Sequence, residues 1–106
     1  MPAARKIVLD TIEHHPLHKA WRELAEKLAE ELGVELEVRI EDYVYAINHG
    51  ETDELGMTWL PQLFVGLDNG EVQLVLSKYP FDPSTAKPDP EKALEEARAR
   101  LREILG

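Results

Sequence analysis

The amino-acid sequence predicts an α/β domain built on a mixed four-stranded sheet flanked by helices. Two features lead to that class. From Lys6 to Ile40, an apolar run, a stripe at helical spacing and an alternating run follow one another. That is the pattern of two parallel strands joined by a right-handed helical crossover. From Trp59 to Leu76, two more strand-like runs meet at Asp-Asn-Gly, a tight turn that makes them antiparallel.

Taken in order, Lys6 to Ile12 is β-branched and apolar and is expected to be a buried strand. Leu17, Trp21, Leu24, Ala25, Leu28 and Leu32 then recur at helical spacing, and Gly33 supplies a stop. Val34 to Ile40 alternates strictly and predicts a second strand. Residues 41–56 support two assignments, a continued strand or a short helix; on a strand, Tyr43 and Tyr45 would share one face. The hairpin strands follow, with Asn69 and Gly70 both tolerant of positive φ. Ser77 to Pro90 holds four prolines and is expected to be irregular. Asp89 is a suitable N-cap and Pro90 a suitable first residue for the last helix, whose stripe is Leu94, Ala97, Leu101, Ile104 and Leu105.

Composition narrows the function. The chain has 106 residues, 43% hydrophobic and 31% charged, which suits one globular domain, 1–106. A formal net charge of −9 disfavours nucleic acid and anionic lipid as partners. The start moves from a short basic tip straight into a strand-like run without an apolar signal core, and no apolar run is long enough to span a bilayer, so a cytoplasmic location is expected. Glu, Lys and Arg are abundant while Asn and Gln occur only at Asn48, Asn69, Gln62 and Gln73, a balance that points to a thermophile. There is no cysteine, which removes disulfides, thiolate nucleophiles and cysteine-based zinc sites together.

Over nearly its whole length the chain resembles the thioredoxin superfamily. The segment from Lys6 to Gly33 has the shape of that family's first strand, active turn and long helix. Leu55 to Val72 is similar to its cis-proline segment running into a hairpin, and a closing amphipathic helix completes the likeness. Pro61 gives a physical reason to take the likeness seriously, because a proline inside a strand removes a ladder donor. A cis bond that starts the strand at Pro61 resolves the conflict; an edge strand or bulge with a trans proline is the alternative.

The departures are specific. Where glutaredoxin-like members carry Cys-Pro-x-Cys, this chain has His15-Pro16-Leu17-His18. The buried aspartate of thioredoxins corresponds to Leu9, with Asp10 one residue on and facing the other way. Dithiol chemistry is therefore excluded by the chain itself. What the resemblance still implies is a groove at the turn and the cis-proline, made by His15, Pro16, Leu17, His18, Trp59, Leu60 and Pro61, with Tyr79 or Phe81 from the proline-rich connection as further walls. Its expected occupant is a protein or peptide segment, with a second copy of the chain as the alternative. No cofactor is expected.

The histidines leave other roles open. In the plain structural assignment His15 caps the helix, His18 is a first-turn residue and His14 is a solvated loop residue. A metal site would use His14, His15 and His18, with Glu13 as a further donor, although the i,i+3 pair lacks the usual i,i+4 zinc spacing. Acid–base catalysis by the same cluster lacks a nucleophile and an oxyanion arrangement to complete it. His49 is expected in a loop, and Trp21 and Trp59 as core or shelf aromatics.

Overall fold

Ile7, Val8 and Leu9 are fully buried because their strand has a partner on each side. The computed structural model describes residues 2–106. In it β1 (Ala4–Thr11) pairs parallel with β2 (Glu35–Ile40), from Lys6 opposite Glu35 to Thr11 opposite Ile40. On its other edge β1 pairs antiparallel with β3 (Gln62–Leu67), with Asp10 opposite Gln62. β4 (Val72–Leu76) then pairs antiparallel with β3, so the order is β2-β1-β3-β4 with one parallel pair. The fold is α/β, and its mixed four-stranded sheet carries helices on both faces.

One face packs on α1 (His18–Leu32) and α3 (Pro90–Leu105). Ile7, Leu9, Leu63 and Val65 from the sheet meet Trp21, Leu24, Leu28, Ala97 and Leu101 from the helices in a single core. α1 ends at Gly33, which takes the left-handed φ of 68° while Gly33 and Val34 N–H groups bond back to Glu30 and Ala29 carbonyls. α3 starts on Asp89, whose side chain accepts the Lys92 N–H at 3.0 Å. Against the opposite face lies α2 (Tyr43–His49), with Ala46 fully buried and the Tyr45 ring edge-on to Phe64 at 5.2 Å. No helix among the described residues is long and apolar enough to cross a membrane.

Several expectations need correction. Residues 43–49 form a helix because Asp42 caps it, accepting the Tyr45 N–H at 3.1 Å. Tyr43 and Tyr45 consequently point to different faces, Tyr43 outward and Tyr45 into the sheet. The hairpin uses positive φ at Gly70 but not at Asn69. Asp68 and Asn69 instead occupy an ordinary turn closed by Gly70 N–H on Leu67 C=O at 3.0 Å. The proline-rich connection is ordered in part: β5 (Phe81–Asp82) pairs with β6 (Lys87–Pro88), and Asp82 holds the bend by accepting the Ser84 N–H at 2.8 Å. The Leu60–Pro61 peptide is cis, and Pro61 stands just before β3.

Candidate functional site

Three connections meet at one end of the sheet, and the pairing dictates that they do. β1 ends beside the start of β3, since Asp10 is opposite Gln62, and β4 ends beside the same place, since Leu76 is opposite Leu63. The turn after β1, the Trp59–Pro61 segment and the Ser77–Phe81 segment are thereby neighbours. Between them lies an open cavity of about 220 Å³ walled by His15, Leu17, Trp59, Leu60, Pro61, Lys78, Tyr79 and Phe81, with Trp21 and Ser77 also contributing.

Each wall is fixed by a particular contact. The Trp59 indole N–H donates to the Ser77 carbonyl at 2.8 Å, which holds the ring across the end of β4. The Lys78 ammonium stands 5.6 Å from the centre of that ring, a cation–π contact. Tyr79 is buried and lies edge-on to Trp21 at 5.5 Å, and burial raises its hydroxyl pKa. Phe81 stays 47% exposed, so the rim is apolar where it opens to water. Neither the N–H nor the C=O of Leu60 has a hydrogen-bond partner among the described residues, although the side chain itself is buried. The cavity thus combines an apolar, aromatic lining with a free stretch of main chain.

Five of the seven residues expected in the groove line it together: His15, Leu17, Trp59, Leu60 and Pro61. Pro16 is exposed and does not line it. His18 is turned away, because its Nδ1 is held at 2.9 Å by the hydroxyl of buried Thr11 on β1. His15 does not cap α1, whose N-cap is Leu17 without a side-chain bond; in the turn before the helix its Nδ1 accepts the Leu17 N–H at 3.0 Å and its carbonyl accepts the His18 N–H at 3.0 Å. Nδ1 as acceptor leaves the ring proton on Nε2. His14 is exposed. Among the described residues no three His, Asp or Glu side chains gather in a set that would hold a metal ion. His49 is the last residue of α2, with its ring 4.6 Å from that of Tyr45.

Two buried polar residues lie behind the groove: Gln62, which the sequence did not mark, and Asp10, expected on the face of β1 opposite Leu9. Gln62 is fully buried and accepts the Glu51 N–H at 2.9 Å while its amide donates to Trp59 O, Thr58 Oγ1 and Glu51 O. It fastens the connection from α2 to β3 and so holds Trp59 in position. A polar residue directly after the proline of a strand-like run was the available signal. Asp10, also fully buried, accepts the Asp42 N–H at 3.1 Å through one oxygen, and its other oxygen has no partner. Burial pushes its pKa up from 3.8 to about 6, against the lowering effect of the Asp42 N–H and Arg39. The Tyr45 hydroxyl is likewise buried without a partner, and burial pushes it up to about 12.

No family model, curated protein or solved structure matches this chain.

Proposed function

We propose that this chain is a thioredoxin-like domain without thiol chemistry, and that it binds an extended segment of a partner protein in the groove beside Pro61. The fold assignment is supported by the sheet order β2-β1-β3-β4, with α1 and α3 on one face and α2 on the other. A parallel β-α-β half joined to an antiparallel hairpin half and flanked by helices is what the resemblance implies. With no cysteine in the chain, the groove serves for contact and not for electron transfer.

The single observation that carries the binding reading is the unpaired main chain of Leu60, a residue that lines the aromatic cavity. A peptide can align there as an added strand through its own N–H and C=O groups. Trp59, Leu17 and Phe81 then cover its apolar side chains. A chain of net charge −9 favours a basic partner. A non-covalent contact of this extent corresponds to an affinity on the order of micromolar. The test is chemical-shift mapping with pooled extended peptides. Binding should move the Leu60 amide and the Trp59 indole, and Leu60→Asp should abolish those shifts. Shifts that avoid residues 15–17 and 59–61, or that survive Leu60→Asp, overturn the proposal.

A further inference from the structure

α2 carries apolar residues on the side turned to the sheet and on the side turned from it, and the fold buries only the first. Tyr45, Ala46 and His49 face the sheet, where Ala46 has no exposed surface. One helical step round, Ile47 stands four residues from Tyr43 and three from Val44, so the three share one face, and they are 51%, 42% and 69% exposed. A surface helix ordinarily turns polar residues to water, and one that is apolar all round is ordinarily covered. α2 turns Tyr43, Val44 and Ile47 to water instead.

The sequence on either side of it is acidic. From Ile40 to Ser77 the chain contains no Lys or Arg, while Glu41, Asp42, Glu51, Asp53 and Glu54 flank the helix in sequence. Arg39, the nearest cation in sequence, is already engaged: it bonds Glu37 at 2.7 Å and Asp42 at 2.6 Å, and its guanidinium lies 4.2 Å from the Tyr45 ring centre. Glu41 holds its carboxylate on a left-handed backbone, φ 51°, where a glycine would be relaxed. An apolar patch on a chain of net charge −9, flanked in sequence by carboxylates, disfavours anionic lipid and a second copy of the chain. It complements a segment that is apolar on one face and basic around it.

We propose that Tyr43, Val44 and Ile47 form a second docking surface, for a cationic amphipathic segment of a partner protein. It lies on the sheet face opposite α1 and α3 and is independent of the groove beside Pro61.

The test uses the full chain, isotope-labelled, titrated with a synthetic amphipathic helix of Leu and Lys. A version with Glu in place of Lys and vesicles of anionic phosphatidylglycerol serve as the comparison arms. The Leu/Lys peptide should shift amides 43–48 with an affinity on the order of micromolar to tens of micromolar, and weaken as salt is added. The pair Val44→Ser and Ile47→Ser should weaken it about tenfold, with the Trp59 indole signal unchanged as proof of an intact fold. Equal binding of the Glu peptide, equal binding of the double variant, shifts that miss α2, or binding only to vesicles would each overturn the proposal. So would self-association of the chain through α2.

Discussion

Replacing Asp10 by Asn tests the electrostatics of the layer between β1 and α2. Asp10 ionises near 3.8 when solvated and near 6 in the fold, chiefly because burial opposes its charge. A carboxyl whose folded pKa is raised binds its proton more tightly in the native state. Its contribution to stability is complete below 3.8 and is lost as pH rises through about 6. The difference of about 2 units, at about 1.4 kcal/mol each, sets a loss of about 3 kcal/mol. Glu37 and Asp42 have lowered pKa values, set first by their hydrogen bonds from Lys6 and from the Tyr45 N–H, and act in the opposite direction. Comparing two chains cancels them. Asn has the same shape, still accepts the Asp42 N–H and never ionises, so any penalty for its buried amide is independent of pH. Urea unfolding followed by tryptophan fluorescence should therefore show Asp10→Asn gaining about 3 kcal/mol over wild type between about pH 3 and about pH 7. A difference that stays flat, or that runs the other way, refutes an ionised and poorly solvated Asp10.

Gln62→Leu leaves the Glu51 N–H and the Trp59 carbonyl without their buried partner. It should destabilise the chain by about 2–4 kcal/mol and speed hydrogen exchange at residues 50–59. Asp89→Ala removes the cap that holds the Lys92 N–H and should cost about 1 kcal/mol in the same urea assay. Replacing His15 and His18 together by Cys should give an intramolecular disulfide under mild oxidation. The His18 N–H to His15 C=O bond of 3.0 Å closes a turn whose ends lie within about 7 Å, close to the Cα separation a disulfide needs. Free thiols or disulfide-linked dimers would mean that these two positions do not face each other.

Where the sequence carried a repeating pattern, the fold was legible. The apolar runs marked β1 and β3, the stripe from Leu17 to Leu32 with Gly33 at its end marked α1, and Asp89-Pro90 marked the start of α3. The resemblance placed seven residues at one groove; His15, Leu17, Trp59, Leu60 and Pro61 line a common cavity, while Pro16 and His18 do not. Short elements were harder. α2 spans seven residues, too few for periodicity to separate helix from strand, and only the Asp42 cap decides between them. The β5–β6 pair rests on one Asp82 side-chain bend inside a run of prolines. Side-chain partners were not legible. That His18 would turn to Thr11, or that Gln62 would bridge Glu51, Thr58 and Trp59, depends on distances no linear spacing encodes.

The most direct test of the groove is hydrogen exchange at the Leu60 amide, measured with and without a peptide selected for binding. The peptide is then compared with its analogue N-methylated at the residue that pairs with Leu60. Strand-like pairing through the free Leu60 main chain predicts that the amide becomes protected on binding. The N-methylated analogue should lose both the protection and the affinity. A Leu60 amide that exchanges as fast in the complex as in the free chain, or an N-methylated peptide that binds as well as its parent, would contradict it.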